Sequence, residues 1–129
     1  MPATKVALIG CGFFAANHLH SWRDLRGEDA ELVAVCDIDP AKAKAAAEQF
    51  GVPRWYGDAA EMLATEQIDL IDLTTRMDTH RRLAEMTIGK GIATIVQKPF
   101  APTFDDCVAI VSAAQKANVF LAVHENFRF

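Results

Sequence analysis

The sequence predicts a doubly wound α/β fold with six strands in one mostly parallel sheet. Short apolar runs rich in β-branched residues alternate with amphipathic, alanine-rich stretches from residue 5 to residue 123. The first run stops at a glycine-rich segment, as buried strands often do where they turn into a helix. Alternation of this kind builds right-handed strand–helix–strand units and therefore a parallel sheet. With 129 residues and no low-complexity linker, we expect one domain over residues 1–129.

Each predicted strand is a short apolar run bounded by polar or turn-forming residues. The run 68–74 is unusual because it contains two aspartates. We expect Asp69 near the start of that strand, whereas Asp72 has no obvious place. Near-continuous apolar character is typical of strands that are covered on both faces. The six runs occupy residues 5–9, 31–36, 54–56, 68–74, 92–96 and 119–123.

Capping residues mark the starts of most predicted helices. Asp39 precedes Pro40, which suits the first helical position. Asp58 with Glu61 forms a capping-box-like start for a shorter helix. The helices are predicted over residues 15–25 and 40–50, from 58 onward, from 78 to the glycine at 89 or 91, and over 103–117.

Composition and charge argue against several classes of protein. The net charge of −4 disfavours a nucleic-acid partner, because phosphate binding favours a basic surface. No apolar run approaches the roughly 20 residues that cross a membrane. The N-terminal residues lack the basic and apolar pattern of a secretory signal. We therefore expect neither a nucleic-acid nor a membrane partner.

Cysteine and histidine usage points to a reducing compartment and to no metal site. The three cysteines, at positions 11, 36 and 107, are odd in number and widely spaced, which does not suit a disulfide framework. We therefore predict a cytoplasmic location. His18, His20 and His124 have no partner at metal-ligand spacing, so no metal site is expected.

The glycine-rich segment is a candidate phosphate-binding loop. Gly10 permits a tight turn after the first strand, and Gly12 lets the backbone approach a pyrophosphate. Ala15 is small enough for close packing of the following helix on the strand. The N–H groups at the start of that helix, around Phe13 and Phe14, then face the anion. A tight turn that needs glycine for backbone reasons alone is the alternative.

Asp37 is the candidate ribose-binding residue. It ends the second predicted strand, where this fold carries the acid that accepts hydrogen bonds from the adenosine ribose. A carboxylate there repels a 2′-phosphate, and the first basic residue after it is Lys42. The sequence therefore predicts NAD(H) rather than NADP(H), with Ile38 beside the adenosine. An ordinary strand-end or helix-capping aspartate is the alternative.

The second half of the chain adds a spaced set of polar residues. Thr74 and Thr75 lie at the end of the fourth strand, His80 lies at the start of the next helix, and Gln97-Lys98-Pro99 follows the fifth strand. Together with the glycine loop they resemble the Gfo/Idh/MocA family of NAD(P)-dependent oxidoreductases, which act mostly on sugars and polyols. The resemblance extends from residue 5 to residue 129. It implies a Rossmann domain that binds NAD, with Thr74 and Thr75 lining the cofactor cleft.

The resemblance also implies roles at the nicotinamide end. Lys98 matches a family lysine that takes part in substrate binding and proton transfer, with Pro99 often in a cis peptide; a solvated loop lysine is the alternative. Gln97 stands where the family usually has a glutamate that contacts the nicotinamide ribose. His80 matches a family histidine near the nicotinamide, as a catalytic or a structural residue. Asn126 is expected to touch the nicotinamide end.

Family members carry a second domain that supplies much of the substrate pocket. The resemblance therefore identifies residues 1–129 as the cofactor domain, with the second domain missing, and we expect these residues alone to turn over little or no substrate. Aromatic side chains that would meet that domain favour a homo-oligomer; they include Phe100, Phe104, Phe127 and Phe129.

Two other functions remain open from the sequence. A non-catalytic nucleotide-sensing or interaction module would keep the fold and lose the chemistry, which Gln97 favours and Lys98 disfavours. A methyltransferase has a similar glycine loop and strand-end acid. The Lys98-Pro99 turn has no role in methyl transfer, so a sugar, inositol or polyol dehydrogenase is the preferred interpretation.

Overall fold

The computed structural model describes residues 2–124, which form a six-stranded sheet in which every pairing is parallel. The strand order is β3-β2-β1-β4-β5-β6. This confirms the predicted doubly wound fold. The strands are β1 (Thr4–Ile9), β2 (Ala30–Cys36), β3 (Arg54–Tyr56), β4 (Leu70–Leu73), β5 (Ala93–Gln97) and β6 (Leu121–His124).

Five α-helices connect these strands, and side-chain caps start three of them, including the two caps predicted at Asp39 and Asp58. The side chains of Asp39, Asp58 and Thr103 each accept a hydrogen bond from a first-turn N–H group. The helices are α1 (Ala15–Asp24), α2 (Pro40–Phe50), α3 (Ala59–Thr65), α4 (His80–Gly89) and α5 (Phe104–Ala117), with a 3-10 turn at Met77–Thr79.

The helices cover both faces of the sheet, and each face has its own buried cluster. On one face, Leu8 and Val35 pack with Leu19 of α1 and Phe50 of α2. On the other face, the central strands pack with α3, α4 and α5; this cluster includes Ile71, Leu73, Met62, Leu83 and Ile110. Burial on both faces explains the near-continuous apolar character of the central strands.

Most element boundaries lie within one residue of the predictions, but two strands begin two residues later than predicted. The fourth strand begins at Leu70, after Asp69, whose carboxylate accepts a hydrogen bond from the Lys5 N–H group at 2.8 Å. The sixth strand begins at Leu121, two residues later than predicted, and Asn118 ends α5 in a left-handed conformation just before it. Within residues 2–124, no helix combines the length and apolar character that spanning a membrane requires.

The strand order reverses between β1 and β4. The chain runs outward from β1 through β2 to β3, and then returns to the other side of β1 with β4. The connections that follow β1 and β4 therefore leave the sheet in opposite directions. A crevice remains between them at the carboxyl ends of these two strands. Ligands of open α/β sheets bind at such a point.

Candidate cofactor site

The loop after β1 is held against the end of β4. Gly10 has a φ of +106°, and a Cβ atom on it would lie 2.7 Å from the main chain of Thr74 and Thr75. The Thr74 hydroxyl donates to the Gly10 carbonyl oxygen at 2.7 Å. Only glycine fits this conformation and this close approach. The first glycine of the loop is therefore needed to join the two central strands.

The start of α1 presents main-chain donors. Among residues 2–124, the N–H groups of Gly12, Phe13 and Phe14 have no hydrogen-bond acceptor. Helix α1 has no acidic residue in its first turn and no side-chain cap. Unpaired N–H groups and the helix dipole together favour an anion at this position. A Cβ atom on Gly12 would have no described atom within 4 Å, so the space above the loop is open.

Asp37 is fixed at the end of β2 by two main-chain groups. One carboxylate oxygen accepts the Cys11 N–H group at 2.7 Å, and the other accepts the Asp39 N–H group at 2.8 Å. These bonds tie the carboxylate to the glycine loop. Each oxygen keeps further lone-pair capacity, so the same carboxylate can also accept ribose hydroxyl groups.

Six of the predicted cofactor-binding residues line one cavity of about 340 Å³, the cofactor cavity. The cavity lies at the strand-order reversal and extends from the glycine loop to α4. Its lining also includes Lys42, Arg76 and Arg82, which sequence analysis did not select and whose positive charges suit a phosphate. Arg82 lies on α4, and nothing in its sequence context distinguishes it from other surface arginines. The six predicted residues are Gly10, Gly12, Asp37, Ile38, Thr74 and Thr75.

The two cysteines beside the cavity are unreactive thiols. Burial, and then the charge of Asp37, raises the pKa of the Cys11 thiol to about 12. The same two causes raise the pKa of Cys36 to about 12. Both side chains therefore stay protonated at neutral pH, and neither supplies a thiolate nucleophile.

Gln97 and Phe14 line a second cavity, of about 300 Å³. Gln97 is 8% exposed and ends β5. Its side-chain oxygen accepts the Lys98 N–H group at 2.8 Å. The Lys98–Pro99 peptide bond is cis, as the sequence resemblance implied, and Lys98 is half-buried. The predicted site residues are thus divided between the cofactor cavity and the turn after β5.

His80 is buried between two main-chain carbonyl groups. Its Nδ1 atom lies 2.9 Å from the Phe100 oxygen, and its Nε2 atom lies 3.0 Å from the Thr75 oxygen. The residue is 1% exposed. Both ring nitrogens therefore contact protein groups. The sequence left a catalytic and a structural role open for His80, and these contacts favour the structural role.

Three residues named in the sequence analysis cannot be placed. Asn126 is outside the described residues, as are Phe127 and Phe129. Between residues 2 and 124, no group of three or more histidine, cysteine, aspartate or glutamate side chains is arranged to hold a metal ion.

Comparison with known proteins assigns this arrangement to a family. Residues 4–125 match the model of the oxidoreductase family with an NAD-binding Rossmann fold, Gfo/Idh/MocA. The chain belongs to this family. The glycine loop, the strand-order reversal and the NAD cofactor expected from the sequence are all consistent with that membership, which confirms the predicted NAD-binding Rossmann domain.

Curated relatives in the family include sugar and polyol dehydrogenases. The chain is 53% identical over 125 residues to a D-apiose dehydrogenase from Paraburkholderia graminis, covering 97% of this chain and 33% of the relative. It is 33% identical over 111 residues to an inositol 2-dehydrogenase from Burkholderia cenocepacia, covering 84% and 32%. The chain therefore spans about a third of the length of these relatives.

Solved structures with the same fold contain nicotinamide cofactors. An oxidoreductase from Agrobacterium radiobacter, in complex with NAD+, L-tartaric acid and magnesium, superposes with a TM-score of 0.92 at 45% identity, over 97% of this chain and 36% of that one. The WlbA dehydrogenase from Bordetella pertussis, in complex with NADH and UDP-GlcNAcA, gives a TM-score of 0.89 at 30% identity, over 95% and 37%.

Proposed function

We propose that this chain binds NAD(H) across the β1–β4 crevice as the cofactor-binding part of a sugar, inositol or polyol dehydrogenase. The pyrophosphate lies on the N–H groups of Gly12 to Phe14, and the adenosine ribose bonds Asp37. The nicotinamide then extends toward Lys98. One observation supports this proposal most: the unpaired N–H groups at the start of α1 and the fixed carboxylate of Asp37 lie around the same cavity.

The substrate class follows from the relatives. The names of two of them, D-apiose dehydrogenase and inositol 2-dehydrogenase, refer to polyhydroxylated substrates that lose a hydride to the cofactor. In this proposal Lys98 contacts the substrate and transfers the proton. His80 supports the turn that carries Thr75. Because the relatives are about three times as long, the proposal assigns this chain the cofactor domain, over residues 1–129, and leaves most substrate contacts to other residues.

Binding of the cofactor is tested by calorimetric titration of the chain with NAD+ and NADP+. We expect NAD+ to bind more tightly, because the Asp37 carboxylate accepts ribose hydroxyl groups and repels a 2′-phosphate. In Asp37→Asn, the ratio of the two affinities is expected to fall about tenfold, since hydrogen bonds to a charged acceptor are lost. A wild-type preference for NADP+ would overturn the role of Asp37.

Asp39→Asn is the matched control for this titration. Asp39 lies two residues away, caps α2 through the Ala41 N–H group, and does not line the cofactor cavity. The same loss of charge there is expected to leave the NAD+ to NADP+ ratio near the wild-type value. An equal change in both variants would mean that net charge, and not a contact with the ribose, sets the preference.

We also propose that the chain self-associates. Phe104 is 80% exposed and Phe120 is 65% exposed. Large exposed aromatic side chains favour association because burying them removes apolar surface from water. We expect a mass above that of the monomer by light scattering at high concentration. A monomeric mass at every concentration would contradict this part of the proposal.

A cytoplasmic location is the remaining part of the proposal. The three cysteines are free thiols, which suits a reducing compartment. Detection of the protein in a membrane or secreted fraction of fractionated cells would contradict it.

A further inference from the structure

A chain of hydrogen bonds connects β4, α1 and the turn after β5. Asp72, in the middle of β4, is 2% exposed. Its Oδ2 atom accepts the Trp22 indole N–H group at 2.8 Å and lies 2.7 Å from His18 Nδ1. His18 Nε2 lies 2.9 Å from Gln97 Nε2. The other end of the Gln97 amide accepts the Lys98 N–H group at 2.8 Å.

The donors and acceptors of this chain fit one assignment best. The Lys98 N–H group can only donate; the Gln97 amide oxygen lies 2.8 Å from it and the His124 carbonyl oxygen 3.3 Å from it. With its oxygen on the shorter bond to Lys98, the Gln97 amide presents its nitrogen to His18. Since that nitrogen donates, His18 Nε2 accepts and carries no hydrogen. The neutral ring then has its hydrogen on Nδ1, which donates to the Asp72 carboxylate. Reversing the amide would place a donor against the Lys98 N–H group.

A carboxylate in a buried strand is costly for stability. Within the described part of the chain, Asp72 Oδ1 has no hydrogen-bond partner. Burying such a group costs more free energy than burying an aliphatic side chain of similar size. Neighbouring positions of β4 are occupied by Ile71 and Leu73. Burial alone therefore does not account for an aspartate at this position, and its hydrogen bonds lead toward the Gln97-Lys98 turn.

We propose that His18 and Asp72 are positioning residues for the nicotinamide end of the cofactor site. Asp72 fixes the His18 tautomer, His18 fixes the orientation of the Gln97 amide, and Gln97 holds the main chain of Lys98. This inference rests on the proposed function, which has the nicotinamide beside Lys98. Orientation matters because small displacements of a positioning group are costly for binding and reaction geometry.

The tautomer is measured by nitrogen NMR of the histidine rings, with the His18 signals identified by their loss in His18→Phe. We expect a hydrogen on Nδ1 and none on Nε2 in the neutral ring. In Asp72→Asn we expect a shift toward the Nε2–H tautomer, because the charge that favours Nδ1–H is gone. Asp69→Asn, which removes an exposed carboxylate beside the same strand, is expected to leave the tautomer unchanged. A neutral wild-type ring with its hydrogen on Nε2 would overturn the assignment.

The positioning role is tested by comparing NADH with ADP-ribose, which has the same adenosine and pyrophosphate but no nicotinamide. We expect His18→Phe and Asp72→Asn to bind NADH about fivefold more weakly and ADP-ribose as the wild type does, a loss comparable to one hydrogen bond. His18→Phe retains a planar aromatic ring without the ring nitrogens. If His18→Phe folds poorly, Asp72→Asn is the milder change.

Each outcome separates this inference from the proposed function. Equal weakening of NADH and ADP-ribose, or no weakening of either, would reject the positioning role while leaving cofactor binding in place. Failure of the wild type to bind either compound would reject the proposed function, and the positioning role with it. Asp69→Asn is expected to bind both compounds as the wild type does.

Discussion

Replacing Gly10 with alanine is expected to lower the free energy of unfolding by about 3 kcal/mol and to remove NAD+ binding. The backbone at Gly10 has a φ of +106°, which an alanine adopts only with strain. The new Cβ atom would lie 2.7 Å from main-chain atoms of Thr74 and Thr75, and main-chain atoms cannot rotate away. The loop and the end of β4 must therefore separate. Urea denaturation measures the first effect, and calorimetric titration measures the second.

Gly12→Ala is the matched control. Its Cβ atom would meet no described atom within 4 Å, so the free energy of unfolding is expected to stay within about 1 kcal/mol of the wild type. NAD+ binding should still weaken, because the methyl group occupies the space through which the pyrophosphate approaches the backbone. Comparing Gly10→Ala with Gly12→Ala therefore separates the effect of the loop on stability from its effect on NAD+ binding. Wild-type stability in Gly10→Ala would contradict the close approach to β4.

The cofactor cavity was predictable because its main parts lie at recognisable strand ends. Gly10, Gly12 and Asp37 each follow an apolar run, and parallel strands bring their carboxyl ends to one edge of the sheet. Thr74 lies at the end of the fourth run. Once a doubly wound parallel sheet was predicted, the proximity of these residues followed from the topology.

The Asp72–His18–Gln97 connection was not predictable from the sequence. Asp72 is 54 residues from His18 in the sequence, and Gln97 is 79 residues from it. The three residues lie on a helix and on two different strands. The sequence around Asp72 does not explain an aspartate in an apolar strand, because the hydrogen-bond partner of Asp72 lies on α1. From its place in the sequence, His18 was a candidate only for a metal ligand, and no metal site was expected. A hydrogen-bond partner on another element leaves no local pattern, in contrast to a cap or a glycine turn.

The contacts of His80 were not predictable either. The sequence resemblance placed His80 near the nicotinamide, but its two contacts with main-chain carbonyl groups appear only in the structure. Replacing His80 with alanine is expected to lower the free energy of unfolding by about 3 kcal/mol. The change leaves a cavity at a fully buried position and removes the ring N–H group that donates to one of the two nearby carbonyl oxygens, those of Thr75 and Phe100. Urea denaturation measures the loss.

His20→Ala is the control for this measurement, because His20 is an exposed histidine of α1 and is expected to change stability by about 0.5 kcal/mol or less. The two interpretations of His80 predict different results. A structural residue lowers stability and affects ligands only through the Thr75 turn, so NADH and ADP-ribose should weaken together. Unchanged stability with a selective loss of NADH affinity would instead mean that the ring contacts the nicotinamide end directly, and that its bonds to Thr75 and Phe100 open when the cofactor binds.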